Sequence, residues 1–342
     1  MFDLTAFSPS RVFVIAEAGC NHNGDFALAE RLVDAAAETG ADAVKFQAFR
    51  AECMITRQAP KAEYQIRATG TAESQYDRLV RMQLDRDQLA SLKARAEARG
   101  LLFCASAFDE PSLDLLVELG SPFIKIPSGE ITNLPLLRRT GAAGLPVILS
   151  TGMADEAEIG RALEALAGAR QVMLLHCVSA YPSDWSEANL RAIPALAARF
   201  GLPVGFSDHS QDDRLAIAAV ALGAACVEKH ITLDRGMEGG DHLASLEPGD
   251  FGRMVAAIRA LGPALGDGVV RCMPSEKNVR AVARKSLVAA RPIARGQVLR
   301  KSDLACKRPG TGISPAQSHE LVGRIAARDI APDEILAWAD LV

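Results

Sequence analysis

Gly201-Leu-Pro-Val-Gly-Phe-Ser-Asp-His209, a helical segment, and then Ala224-Ala-Cys-Val-Glu-Lys-His230 decide how this chain is read. Each run is apolar and β-rich and ends in polar residues: Ser207-Asp208-His209 in the first, Glu228-Lys229-His230 in the second. The segment between them, Asp212 to Leu222, has helical periodicity. Strand, helix, strand in that order is a βαβ unit, whose two strands lie parallel. His209 and His230 therefore stand at equivalent strand ends on one rim, about a strand spacing apart if the strands are neighbours.

Working outward, the same alternation fills the first three quarters of the chain. Strands are expected at Val12 to Ala16, Ala43 to Gln47, Leu101 to Ala105, Pro122 to Ile126, Pro146 to Leu149 and Val172 to Leu175, with helices between and a last one from Pro248 to Leu261. The exception is a long polar stretch from Ala48 to about Met82, expected to cover the mouth of the fold. Eight strand–helix units in roughly 260 residues is the length of a (β/α)₈ TIM barrel. A doubly wound open sheet is the structural rival, but no G-x-G-x-x-G follows the first strand, as a dinucleotide fold would require.

The texture then changes. Residues 1–262 read as the barrel, 263–283 as a Gly/Pro-rich linker, and 284–342 as a small β-rich domain carrying an internal repeat. Ala290-Arg-Pro-Ile-Ala-Arg-Gly-Gln-Val-Leu-Arg-Lys-Ser-Asp-Leu304 aligns without gaps to Ala327-Arg-Asp-Ile-Ala-Pro-Asp-Glu-Ile-Leu-Ala-Trp-Ala-Asp-Leu341. Each copy reads as strand, turn, strand, and together they suggest a pseudo-symmetric module.

Composition bounds the function. Of 342 residues, 49% are hydrophobic and 23% charged, with a net charge of −4 and no basic cluster, which argues against nucleic acid. Seven cysteines without CxxC spacing suggest reduced thiols in a cytoplasmic protein. There is no basic n-region and no apolar run of about 18 residues, so neither secretion nor membrane spanning is expected.

In a barrel, chemistry sits at the C-terminal strand ends. Those positions hold Glu17, Lys45 and Gln47, Lys125 with Ser128 and Glu130, Ser150, then Ser179 and Tyr181 after His176, Ser207 and His209, and His230 followed by Asp241. Two lysines and several hydroxyls on one rim suit a phosphate-bearing substrate. Lysine inside a strand is uncommon unless it is paired or working. A histidine pair with open coordination positions suits a divalent metal acting as Lewis acid on a carbonyl, and Glu17 suits proton transfer with water. His176, inside an apolar run, reads as structural, and His22 as a supporting residue.

These residues resemble the sialic acid synthase family, phosphoenolpyruvate-dependent synthases of nine-carbon sugar acids. The resemblance is carried by I-A-E-A-G-C-N-H-N-G (15–24), V-K-F-Q (44–47), F-K-I-P-S-G-E-I-T-N-L-P around Lys125, I-L-S-T-G-M (148–153), L-L-H-C-V-S-A-Y-P (174–182), G-F-S-D-H (205–209), V-E-K-H (227–230) and K-R-P-G-T-G (307–312). It implies a (β/α)₈ barrel joined to a C-terminal antifreeze-like (SAF) domain, in a domain-swapped homodimer. It further implies Mn²⁺ or Mg²⁺ held by His209 and His230, and phosphoenolpyruvate contacted by Lys45, Lys125, Ser128, Ser150, Ser179 and Ser207. The sugar would meet Gln47, Glu130, Tyr181 and Asp241, with Arg308 arriving from the other subunit. One departure is Ser179, where some members have Asn, which shortens that phosphate contact. The implied activity is an N-acetylneuraminate synthase condensing phosphoenolpyruvate with N-acetylmannosamine and releasing phosphate, with Glu17 assisting water addition. An N,N'-diacetyllegionaminate synthase using 2,4-diacetamido-2,4,6-trideoxy-mannose is the sibling alternative, pseudaminate a further one. A pyruvate-using metal aldolase and a non-catalytic carbohydrate- or ice-binding protein are the readings from other classes.

Overall fold

A computed structural model describes residues 2–63, 65, 66 and 73–342, so part of the stretch expected to cover the mouth lies outside the described residues. The chain divides into two compact units, one ending at Asp267 and the other spanning Gly268–Val342.

Eight parallel strands close the first unit into a barrel: β1 (Phe13–Gly19), β2 (Ala43–Ala48), β3 (Leu102–Ala107), β4 (Ile124–Ile126), β5 (Val147–Ser150), β6 (Val172–Cys177), β7 (Val204–Asp208) and β8 (Cys226–His230). Closure removes both open edges, so the register is fixed all the way round. Glu17 of β1 pairs with Lys45 of β2 on one side and His230 of β8 on the other. Ser207 of β7 is opposite Cys177 of β6 and Glu228 of β8. The functional candidates are thus brought side by side by strand pairing alone.

Period-two alternation sorts each strand into an outward and an inward set. Outward residues such as Val14, Val44, Phe103 and Val227 are buried against the surrounding helices. Several of those helices begin at acidic or amide caps; Asp85 and Asp155 form reciprocal capping boxes with Gln88 and Glu158. Toward the N-terminal ends of the strands the inward set is apolar, with Phe13, Ile15, Phe123, Ile148, Met173 and Leu175 in one cluster. Leu4 is fully buried in it, and the Phe2 ring stacks on Phe123 at 4.9 Å. The barrel is therefore dry at that end and polar only at the other.

Gly205 shows how tightly the dry end is packed. A Cβ there would stand 2.5 Å from the Cys226 carbonyl oxygen and 2.6 Å from Leu175 Cδ2. Gly205→Ala is expected to lower the unfolding free energy by about 1–3 kcal/mol, as overpacked cores do, measured by urea denaturation.

The last helix of this unit, Pro248–Leu265, runs three residues past Gly262. The glycine there serves packing and does not end the helix: a Cβ would lie 2.8 Å from the Ser10 carbonyl oxygen. The helix stops instead at Gly266, whose φ of +62° an L side chain rarely adopts. A second difference from the expected linker is the helix Lys277–Ala283. The stretch after β2 also contains helices, Ala51–Met54 and Gln75–Met82.

In the second unit, β9 (Ser286–Ala289) and β10 (Leu304–Lys307) pair antiparallel. The internal repeat is visible in its bonds. Ile293 and Ile330, equivalent by the repeat, exchange both backbone hydrogen bonds. The equivalent carboxylates Asp303 and Asp340 each accept from the amide three residues before them and from the Nε of Arg291 and Arg328 respectively. Burial resists ionisation of Asp303, but those donors outweigh it and hold the carboxyl below its usual range.

Candidate active site

One cavity of about 310 Å³ opens at the C-terminal ends of the barrel strands, and every strand lends it an inward side chain. Glu17, Lys45, Ser106, Lys125, Ser150, Cys177, Ser207 and Glu228 come from β1 to β8 in turn. Gln47, Ser128, Ser179, Tyr181, His209, His230 and Asp241 add polar groups, as do Gln65, Gln75 and Arg78. Most of these are among the site candidates named from sequence; Ser106, Cys177 and Glu228 are not.

The centre is a buried lattice of two ammonium groups and two carboxylates. Lys45 pairs with Glu17, and its Nζ lies 3.7 Å from Glu228 and donates to Ser106 Oγ at 2.9 Å. Lys125 Nζ donates to Ser150 Oγ at 2.7 Å and lies 3.7 Å from the other oxygen of Glu228, which also accepts from Ser207 at 2.9 Å. All four charged groups are at most 4% exposed. Desolvation favours the neutral form of each, and the partners decide who yields. Burial lifts the Glu17 carboxyl to about 7, aided by Glu228 and opposed by Lys45. Glu228 suffers the same burial, yet the two lysines hold it below its usual value. Burial depresses Lys125, while Glu17 and Glu228 more than offset burial at Lys45 and raise it. The two carboxyls are thereby split: one stays ionised, the other can exchange a proton near neutrality.

Beside this lattice the rings of His209 and His230 lie 5.5 Å apart, with the Tyr181 ring 4.2 Å from His209. His209 Nδ1 is 2.7 Å from the Val178 carbonyl, so Nδ1 carries the proton and Nε2 keeps its lone pair. His230 Nδ1 is buried with no hydrogen-bond partner. Burial pulls His209 down to about 4 and His230 well below its usual value, so both are neutral at pH 7. Two neutral imidazoles fit a divalent cation: His230 Nδ1 has no hydrogen-bond partner, and His209 Nε2 meets the Ser207 hydroxyl at 3.4 Å. No cluster of three or more His, Cys, Asp or Glu is placed to hold a metal among the described residues.

A third region suits an anion. Gly152 N–H donates to Ser128 Oγ at 3.1 Å, and Ser128 Oγ is 3.1 Å from Cys177 Sγ. A Cβ on Gly152 would press on Ser179 Oγ and come within 2.9 Å of Ser128 Oγ. Only glycine leaves these hydroxyls open to the cavity. Met54, Leu79 and Phe108, from one hydrophobic cluster, form an apolar wall of the cavity, and Cys20 donates to Gln47 Oε1 at 3.3 Å. Asp241 and the buried Arg78 close that side; burial raises the Asp241 carboxyl against the pull of Arg78.

Two candidates, Glu130 and Arg308, stand apart, as does His176. Glu130 does not line the cavity; it accepts from Asn133 at 2.7 Å in the turn Ser128–Glu130, and burial raises its carboxyl. Arg308 belongs to the second unit, where its Nε donates to the Ala283 carbonyl at 2.9 Å. His176 points outward, 2.9 Å from the Ala188 carbonyl, as its apolar context implied. Glu228 was detectable, since it shares strand parity with His230. Arg78 gave no such signal, because its helix lies in a stretch that is polar on average, where one more arginine does not stand out.

The NeuB family model matches residues 32–270, most of the barrel unit. The chain belongs to the NeuB family. A SAF domain matches residues 284–342. The N,N'-diacetyllegionaminic acid synthase of Campylobacter jejuni is 43% identical over 330 residues, covering 95% of this chain and 99% of its own. That of Legionella pneumophila is 40% identical, covering 95% and 93%. The crystal structure of an N-acetylneuraminic acid (sialic acid) synthetase from Leptospira borgpetersenii superposes with a TM-score of 0.70 at 36% identity, covering 78% of this chain and 90% of that one. This NeuB-family chain has no helix long and apolar enough to cross a membrane among its described residues.

Proposed function

We propose that the barrel condenses phosphoenolpyruvate with the open-chain aldehyde of an N-acylated amino sugar and releases phosphate. The carrying observation is the buried Glu17–Lys45–Glu228–Lys125 lattice beside two neutral imidazoles. Lys45 and Lys125, with Ser128, Ser150, Ser179 and Ser207, bind the phosphate and carboxylate of phosphoenolpyruvate through charge-assisted hydrogen bonds. The C2=C3 π pair of phosphoenolpyruvate forms the bond from C3 to the aldehyde carbon, whose own π pair moves onto the aldehyde oxygen and is protonated there. Water adds at the cationic C2 and gives one proton to Glu17; the C2–O bond to phosphate then breaks, the bridging oxygen leaving with the phosphate and taking the remaining hydroxyl proton as C2 becomes a carbonyl. A carboxyl near 7 suits that proton transfer, and the burial of the charged groups strengthens each interaction. His209 and His230 would hold the divalent metal, Mn²⁺ or Mg²⁺, which supplies polarisation of the aldehyde oxygen.

For the sugar, the apolar wall of Met54, Leu79 and Phe108 favours a substrate rich in methyl groups. 2,4-Diacetamido-2,4,6-trideoxy-mannose has a C6 methyl and two acetamido methyls; N-acetylmannosamine has a C6 hydroxyl that this wall would leave unpaired. The two relatives at 43% and 40% identity are both named for that product. The chain is thus read as an N,N'-diacetyllegionaminate synthase, in preference to the N-acetylneuraminate synthase expected from sequence. Incubating the protein with phosphoenolpyruvate, Mn²⁺ and each sugar should give a kcat/KM about 10- to 100-fold higher for the diacetamido sugar. Equal or better use of N-acetylmannosamine would restore the N-acetylneuraminate reading. Absence of phosphate release with every sugar would favour the pyruvate aldolase or the binding protein.

Arg308 is proposed to reach the sugar's N-acyl group from a second copy of the chain, in a domain-swapped homodimer. Arg308→Ala should raise the sugar KM about tenfold or more and leave that for phosphoenolpyruvate nearly unchanged. Mixing Arg308→Ala chains with Glu17→Ala chains should restore part of the activity; verified heterodimers without rescue would reject swapping. Seven free thiols fit a reducing cytoplasm.

A further inference from the structure

The second unit contains a cavity of about 340 Å³ whose charged lining is wholly cationic. Lys277, Arg280 and Arg284 recur at i, i+3 and i+7, so the helix Lys277–Ala283 and the residue after it present them on one side. Lys285 adds a fourth charge. The facing wall is the backbone of Gly310 to Gly312, which lies flush on the helix. Gly310 N–H donates to the Ala281 carbonyl at 2.7 Å, and a Cβ on Gly310 would meet Arg284 Cβ at 2.6 Å.

Three other cations of this unit are paired: Arg291 with Asp303, Lys307 with Asp333, and Arg328 with Glu334 and Asp340. None of the four lining the cavity pairs with a carboxylate among the described residues, and all four are exposed. In a chain of net charge −4, four uncompensated cations around one concavity concentrate positive potential where a small anion can enter. Two guanidinium forks beside two ammonium groups match the oxygens of a phosphate.

We propose that this pocket binds a phosphomonoester dianion. Two sources share that chemistry: the phosphoenolpyruvate consumed by the barrel, which rests on the function proposed above, and another phosphorylated metabolite such as a nucleoside 5'-monophosphate.

Calorimetric titration of the full chain with inorganic phosphate tests the site without turnover, so failure of the synthase reading leaves this test intact. Arg280→Gln/Arg284→Gln should weaken one class of phosphate site about tenfold or more, and Lys277→Gln/Lys285→Gln should do the same. All four residues are exposed, and an unchanged melting temperature verifies folding. A parallel rise in the KM for phosphoenolpyruvate at constant kcat, shrinking at high salt, supports the substrate as source. Loss of phosphate binding with that KM unchanged, and competition by a nucleoside monophosphate, supports the pocket with the other source. Phosphate binding unchanged in both double variants overturns the proposal. So does loss of the dimer with phosphate binding intact, because the cations would then face a protein surface.

Discussion

Lys45→Met is expected to destabilise the protein by about 3–5 kcal/mol and to lower phosphate release by about a thousandfold. The ammonium stands between Glu17 and Glu228 and also donates to Ser106. Removing it leaves two carboxylates, both deeply buried, with only Lys125 near them. One must protonate or remain an uncompensated charge in a medium that solvates it poorly. Since Lys45 and Glu17 are direct partners, their losses should not add. Lys45→Met/Glu17→Gln removes both charges and should recover about 2 kcal/mol of the loss while activity stays absent. Urea denaturation reads the first effect and phosphate release the second. A double variant whose destabilisation equals the sum of the singles would show that the pair is not the unit described.

The same lattice shows what the sequence could reveal. Strand-end polarity located Glu17, both lysines and both histidines, because a barrel has one polar end and lysine within a strand needs a partner. It could not separate inside from outside by strand end alone. Asp208 and Lys229 are also polar and terminal, yet they form an ion pair of 3.0 Å with Lys229 donating to the Ser210 carbonyl, both fully buried and neither lining the cavity. They brace the β7 and β8 ends next to the two histidines. Parity distinguishes them: Ser207, His209, Glu228 and His230 alternate inward, Asp208 and Lys229 outward. The apolar wall was not legible, since Met54 and Leu79 come from helices of four and eight residues set in a stretch that is polar on average. The expected linker misled for a related reason: Gly262 is a glycine of close approach, which a sequence cannot distinguish from one that ends a helix.

His230→Ala is expected to abolish turnover, by at least about a thousandfold, and to weaken Mn²⁺ binding at least about a hundredfold. The two histidines are not equivalent. His209 is oriented by the Val178 carbonyl, whereas His230 has an unpartnered buried Nδ1 and is held by the packing of its strand. A buried polar atom left unpaired costs free energy, so its persistence in a well-packed site is explained if an external cation completes it. His230→Ala should therefore cost the metal-free protein little, because it deletes an unsatisfied atom. His209→Ala strands the Val178 carbonyl and should cost about 1 kcal/mol even without metal. Adding Mn²⁺ should raise the melting temperature of the wild-type chain and of neither variant. Titration followed by the paramagnetic signal of free Mn²⁺ reads binding with no substrate present. If both variants retain tight Mn²⁺ binding and the metal-induced rise in melting temperature, the imidazole pair is not the metal site, and the neutral rings must serve the substrate directly.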